Sequence, residues 1–214
     1  MPTSLPESLA DSWQLAGTKT GESTVLIASI NAETTLYEPT EPTALAARSA
    51  SAIPLRSLFV VDLSISPPLS AVGIPPESAF SKAAPKARDQ FIDTVESEGL
   101  TVDGTRETLA FEAPNGTEGR WYVLETTHPL SDDVQAEADI EAEANGHVPA
   151  EAHVAVWPTD SSFAVAGGTL PRPDGLESMP EELTAETTVD PDGARDTIST
   201  LIQALDLEGG ESDG

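Results

Sequence analysis

The chain has 214 residues, with 37 acidic residues against 10 basic ones, a formal net charge of −27 and no cysteine. The missing thiols exclude disulfides and thiolate metal ligands, and the length allows one large domain or two small ones. Hydrophobic residues make up 38% of the chain, enough to bury a core, which separates it from acidic disordered proteins. A polyanion does not neutralise phosphates, so no nucleic-acid partner is expected.

The acidic residues are scattered from Glu7 to Asp213, and lysine is scarce. This distribution suits a folded protein adapted to concentrated salt, because a lysine stem adds apolar surface and molar salt screens the self-repulsion. No apolar run is long enough to span a membrane, and the N-terminus has no secretory signal pattern. We therefore expect a cytoplasmic location.

The first predicted elements are two strands. Residues 22–30 are rich in β-branched side chains, which indicates a strand. Asn31-Ala32 could turn the chain into a second strand over residues 34–38, which a proline ends. These elements predict an early β-hairpin.

A third strand and the first long helix follow. Residues 55–66 are apolar on both faces, which predicts a central strand, and a proline-rich loop is expected over residues 67–83. A helix is predicted from Pro85 to Glu98, because proline suits a first helical turn and apolar side chains recur at four-residue spacing. The apolar positions are Ala87, Phe91 and Val95. Gly99 is expected to end this helix, with the next apolar residue folding back onto its last turn.

The clearest turn signal in the chain is Asn115-Gly116. Both residue types tolerate positive φ, so the sequence predicts a hairpin with strands over residues 105–113 and 119–127. The second of these strands is apolar on both faces. We therefore expect it to lie inside the sheet.

Residues 131–145 combine alanine with acidic residues. Alanine and glutamate favour a helix, which Ser131 would cap and Gly146 would end, whereas the alternation of alanine with acids would also suit a solvated strand. Acids of this segment could bind Ca²⁺ or Mg²⁺; they are Asp132, Asp133, Glu137, Asp139, Glu141 and Glu143. Because they lack the glycine and the terminal glutamate of an EF-hand loop, we expect a solvated face and no metal site.

The C-terminal part predicts a second hairpin and a second helix. The hairpin strands are expected over residues 150–157 and 162–167, with Gly167-Gly168 breaking the second strand. After a loop over residues 171–186, Asp190 is expected to cap the helix. The apolar stripe of this helix consists of Ala194, Ile198, Leu201, Ile202 and Leu205.

This order of elements predicts an α+β fold, with a largely antiparallel sheet flanked by helices as an α/β/α sandwich. It resembles the Mog1/PsbP-like fold in its early hairpin, its proline-rich loop, a helix ending in Glu98-Gly99-Leu100, the Asn-Gly hairpin and the final helix. That resemblance implies a non-enzymatic interaction or assembly module and carries over no site residue. The acid excess resembles that of haloarchaeal proteins. Residues 11–207 are expected to form a single domain between a flexible N-terminus (1–10) and a disordered acidic tail (208–214).

Catalytic chemistry finds little support in the sequence. The histidines are His128, His147 and His153, and zinc needs three or four ligands, so we expect structural or surface roles for them, with His153 facing outward. No nucleophile elbow, P-loop or dinucleotide-binding motif occurs. We therefore predict no catalytic residues, no cofactor and no metal site. The tryptophans are expected to pack in the core or at its edge.

One cluster of basic residues is a candidate docking site. Lys82, Lys86 and Arg88 lie near the predicted helix start, where the helix dipole adds partial positive charge. Pairing within the chain, with Glu77 or Asp89, is the alternative for these residues. The leading hypothesis is a non-catalytic interaction or assembly module of a halophile with a protein partner. The alternative is a ligand-binding protein or hydrolase with a pocket between residues 67–83 and the sheet.

Overall fold

The computed structural model describes residues 5–25, 28–131, 146–176 and 191–205. Its seven strands form one antiparallel sheet in the order β1-β2-β3-β7-β6-β5-β4. The strands are β1 (Trp13–Val25), β2 (Ala28–Pro39), β3 (Ser57–Ser66), β4 (Thr101–Glu112), β5 (Glu118–Pro129), β6 (His147–Pro158) and β7 (Phe163–Pro171). The helices are α1 (Glu7–Ala10), α2 (Pro76–Ser97), α3 (Pro173–Leu176) and α4 (Pro191–Ala204), with 3₁₀ turns at Ala46–Arg48 and Leu69–Val72. The described helices include none that is long and apolar enough to cross a membrane.

Five of the six strand pairings join strands that are neighbours in the sequence, and the sixth places β7 beside β3. The segment containing α2 carries the chain from β3 in the middle of the sheet to β4 at its edge. The antiparallel, sheet-dominated fold predicted from the sequence is confirmed. The central position of β3 and the internal position of β5 are also confirmed, since each strand has a partner on both sides.

Buried side chains form separate cores around α4 and α2. Successive residues of a strand point to opposite faces, and in β3 Leu58 belongs to the α4 core whereas Phe59 belongs to the α2 core. The apolar stripe predicted from the sequence supplies buried core residues: Ile198, Leu201 and Ile202 in α4, and Leu205 directly after it. In α2, Phe80 and Ala84 are buried, and Phe91 is half-buried with its ring stacked on Phe59 at 5.0 Å between centroids.

The predicted turn at Asn31-Ala32 is wrong. Asn31 lies inside β2, where it pairs with Glu22 of β1 and Ser64 of β3. Strand β1 ends at Val25, which pairs with Ala28, the first residue of β2. Pairing of β2 with a neighbour on both sides outweighs the weak turn preference of a lone asparagine.

The predicted start of the first long helix is also wrong, and so is the loop expected over residues 67–83. Helix α2 begins at Pro76, and Pro85 lies inside it. Pro85 lacks the N–H that would bond the carbonyl one turn earlier, but the burial of Phe80 and Ala84 offsets this loss. The predicted end is confirmed: Gly99 has a φ of 98°, and the N–H of Leu100 donates to the carbonyl of Val95 across 3.1 Å.

Both later hairpins are confirmed, and Gly116 adopts the positive φ that the Asn-Gly turn requires, at 78°. Gly167 and Gly168, however, do not break their strand, because both lie inside β7. A Cβ at Gly168 would approach the Ser57 carbonyl oxygen to 2.3 Å. Glycine is needed here for the close approach of two backbones.

Several predicted features lie outside the described residues. These are the element over 131–145 beyond Ser131, its six candidate metal ligands, the Asp190 cap and the tail over 208–214. Within the N-terminal segment, residues 7–10 form α1, and Leu9 packs in the α4 core.

Candidate functional site

Glu151 of β6 is the one carboxylate that is buried among the residues whose burial is described. It retains 4% of its accessible surface. Its side chain is on the face of the sheet that α4 covers, because it shares that face with Leu170 of the adjacent strand, a member of the α4 core. A buried carboxylate needs compensation by bonded partners.

Three side chains from three different elements supply that compensation. Arg106 of β4 donates from Nη1 to Oε1 across 2.5 Å, and Arg195 of α4 donates from Nη2 to Oε2 across 2.9 Å. His153, two residues further along β6, lies with Nε2 3.2 Å from Oε2. Glu151 therefore links edge strand β4 and helix α4 to β6, a strand inside the sheet.

Trp121 of β5 completes the network and determines which ring nitrogen of His153 carries the proton. Its indole nitrogen, which is donor only, lies 3.0 Å from Nδ1 of His153. Nδ1 must therefore present a lone pair, and the ring proton lies on Nε2, from which it is donated to Glu151. We name these five side chains the Glu151 network: Arg106, Trp121, Glu151, His153 and Arg195.

The Glu151 network keeps its carboxylate ionised. The hydrogen bond from His153 and the bond and charge of Arg195 lower the pKa of Glu151 to about 2, and they outweigh the burial that alone would raise it. A general base needs a lone pair within reach of a substrate proton. Here both carboxylate oxygens and both imidazole nitrogens are already bonded, at 4% and 1% residue exposure.

The three histidines do not converge. His147 is exposed, whereas His128 and His153 are buried on opposite faces of the sheet. His128 is on the same face of β5 as Leu124, which belongs to the α2 core. His153 is on the other face, which α4 covers. The expectation that His153 faces outward is wrong, because β6 is buried on both faces. Among the described residues there is no group of three or more metal-ligating side chains.

His128 is buried without compensation. Neither ring nitrogen has a hydrogen-bond partner among the described residues, and the hydroxyl of Thr126 on the same face is also unpaired. Burial lowers the pKa of His128 to about 4. The ring is therefore neutral at pH 7, at the cost of leaving polar atoms unpaired.

The candidate docking residues do not share one surface. Lys82 and Lys86 are exposed, one helical turn apart on α2. Arg88 is half-buried: its guanidinium lies 5.4 Å from the ring centroid of Tyr122 and bonds Asp89 at 2.6 and 2.9 Å. The sequence placed all three together, but the helical rotation of about 100° per residue turns Arg88 toward the sheet.

A small cleft lies at the start of β3. Its accessible volume is about 10 Å³, enough for about one water molecule. Its lining consists of Trp13, Arg56, Ser57, Leu58, Thr169, Leu170, Ala194, Thr197 and Ile198. The guanidinium of Arg56 lies 5.8 Å from the Trp13 ring centroid. We name this feature the Arg56 cleft.

A family model described as a domain of unknown function, DUF6517, matches residues 2–206. The chain belongs to the DUF6517 family. Among curated proteins and solved structures, none is significantly similar to it. The DUF6517 match includes every described strand and helix, so the Glu151 network and the Arg56 cleft both lie within the family's domain.

Neither the Glu151 network nor the Arg56 cleft was predicted from the sequence. The Glu151 network joins residues up to 89 positions apart, from Arg106 to Arg195. A local signal does exist for it, since Glu151 and His153 alternate with alanine and valine in a strand that is apolar on its other face. Arg56 gives only a weaker signal, as a lone cation directly before an apolar strand of an acidic chain.

Proposed function

We propose that this DUF6517 chain is a non-catalytic protein-interaction or assembly module adapted to concentrated salt. The observation that carries this proposal is the saturation of the Glu151 network. The side chains with the best acid–base chemistry are bonded to one another and hold β4, β6 and α4 together. A domain whose reactive groups serve its own fold is suited to present surfaces to a partner.

The placement of charge supports the salt adaptation. Apart from Glu151, the carboxylates whose burial is described are exposed or half-exposed, in a chain with a formal net charge of −27. Such a surface repels itself at low ionic strength, and salt at about 1 M shortens the Debye length to about 3 Å. A haloarchaeal type of surface is therefore part of the proposal.

The fold part of the proposal is an α/β/α sandwich of the Mog1/PsbP type. Its support is the alternation in β3, where Leu58 packs in the α4 core and Phe59 in the α2 core. Helices on both faces leave their outer surfaces and the two sheet edges for a partner.

The sheet edges are poor sites for a partner. Edge strand β1 has a register shift between Leu15 and Gly17, and edge strand β4 has two, after Val102 and after Thr105. Bulges and charged side chains on an edge disfavour pairing with another strand. The outer surface of α2, where Lys82 and Lys86 are exposed, is therefore the proposed docking surface, and an acidic partner would complement it.

Co-purification in a lysate of the source organism at 2 M KCl tests the interaction. The tagged wild-type protein is compared with the double variant Lys82→Glu/Lys86→Glu, and with Arg120→Glu as a control, since Arg120 is exposed on β5. We expect the double variant to lose a partner that the control retains. A partner held equally by all three proteins would contradict docking at α2, and the absence of any partner would contradict the interaction module.

The alternative function, ligand binding, finds little support in the Arg56 cleft, which has room for about one water molecule. This cleft lies beside β1, β3, β7 and α4. The pocket expected from the sequence would lie elsewhere, beside residues 67–83, and the part of that segment from Pro76 onward belongs to α2.

A further inference from the structure

Arg56 has hydrogen-bond donors for which the described residues supply no acceptor. No described carboxylate forms an ion pair with it, and no described oxygen bonds its guanidinium. The guanidinium lies 5.8 Å from the ring centroid of Trp13, and the side chain is half-buried. The donors of a half-buried arginine that lie away from bulk solvent need an acceptor inside the cleft.

The hydroxyls that line the cleft have already used their protons. Thr169 donates to the carbonyl of Pro54 across 3.0 Å, so Ser57, whose Oγ lies 2.7 Å from Oγ1 of Thr169, is the donor of that pair. Thr197 donates to the carbonyl of Gly193 across 2.8 Å. A hydroxyl oxygen has two lone pairs, and each of these three oxygens keeps at least one of them. The cleft therefore combines guanidinium donors with oxygen acceptors.

Space and hydrogen bonding together select the occupant. The accessible volume is about 10 Å³, and a site of about 10–15 Å³ holds one water molecule when two to four polar groups surround it. A halide ion accepts hydrogen bonds but donates none, so it would face the lone pairs of the hydroxyls. A water molecule accepts a bond from the guanidinium and donates its two protons to hydroxyl oxygens, which matches both kinds of group.

We propose that the Arg56 cleft is a binding site for one ordered water molecule, which links the start of β3 to helix α4. The water accepts a hydrogen bond from the Arg56 guanidinium, and it donates to Thr197 of α4 and to the hydroxyl pair of Ser57 and Thr169. A water that bridges protein groups in this way stabilises them nearly as well as a direct hydrogen bond. The site is independent of docking at α2.

High-resolution crystal structures test the site directly. One set of crystals is grown from KCl and a second from KBr, because bromide gives an anomalous signal that separates a halide from water. We expect one ordered water within hydrogen-bonding distance of a guanidinium nitrogen of Arg56 and of at least one lining hydroxyl, with no bromide peak. A bromide peak in the cleft, or a cleft without ordered density, would overturn the proposal.

Two matched threonines of α4 test whether the water supports the fold. Thr197 and Thr200 each donate to the carbonyl four residues earlier across 2.8 Å, but of the two only Thr197 lines the cleft. Thr197→Val removes an acceptor of the water, so it should raise the equilibrium constant of unfolding at least about fivefold more than Thr200→Val. Thr197→Ser keeps the hydroxyl and should retain both the water and the wild-type stability. Equal effects of the two valine substitutions would overturn the link between the water and α4.

Discussion

The indole N–H of Trp121 donates to Nδ1 of His153 across 3.0 Å, and this bond makes the buried imidazole a donor toward Glu151. An indole offers no acceptor, so a proton on Nδ1 would face the indole hydrogen. Trp121 thus determines that Nε2 of His153, and not Nδ1, carries the ring proton. The relationship between these two residues leads to the first prediction.

Trp121→Phe should destabilise the fold by about 1–3 kcal/mol, because it keeps an aromatic ring but leaves Nδ1 of His153 without a donor. Chemical denaturation gives the free energy of unfolding. A double-mutant cycle with His153→Leu separates the bond from the packing. If the two losses simply add, the bond contributes nothing and the fixed tautomer is not a stabilising feature.

Glu151→Gln should cost about 3 kcal/mol, since it removes the charge that compensates Arg106 and Arg195. The two arginines are 41% and 39% exposed, so water limits the loss to the lower end of the range for buried pairs. The matched control is Glu125→Gln, which removes an exposed partner of Arg172 and should cost at most about 1 kcal/mol. Equal effects of the two substitutions on unfolding would show that burial of Glu151 adds nothing.

Acid should destabilise the protein first through His128. Its pKa of about 4 in the folded state lies below its unfolded value, so the unfolded chain binds the proton more readily. The stability contributed by the neutral ring is complete above about pH 6.5 and is lost as the pH falls toward 4, by up to about 3 kcal/mol. Denaturation curves at several pH values should show this slope. The dependence of the unfolding free energy on pH should flatten in His128→Leu. It should be unchanged in the control His147→Gln, since His147 is exposed. A wild-type pH dependence in His128→Leu would contradict the assignment to His128.

The contribution of Glu151 to stability changes at lower pH than that of His128. Its pKa is lowered from 4.5 to about 2, so its contribution is present above about pH 4.5 and is lost as the pH falls toward 2. The loss below pH 4.5 should persist in His128→Leu and disappear in Glu151→Gln. Melting curves between pH 2 and 5 measure it.

Salt should stabilise the fold. The unfolding midpoint is expected to rise steeply between about 0.1 and 2 M KCl, because added salt screens the repulsion among the exposed carboxylates. Thermal unfolding monitored by circular dichroism measures this response. A flat response would remove the support for a salt-adapted protein.

Some elements are predictable from the sequence because their signals are local. The turn at Asn115-Gly116 uses the positive φ that Gly116 adopts readily, and Gly99 ends α2 with a positive φ for the same reason. The apolar stripe of α4 follows from its spacing alone. The net charge, and with it the expectation of salt dependence, is likewise a property of composition.

Tertiary structure decided what depends on distant partners. Pairing of β2 on both sides placed Asn31 inside a strand, and burial of Phe80 and Ala84 extended α2 through Pro85. The Glu151 network joins four elements, which are β4, β5, β6 and α4, and the Arg56 cleft joins β1, β3, β7 and α4. No local preference of a glutamate or an arginine indicates burial; only the packing of remote segments around it removes water and determines which partners remain.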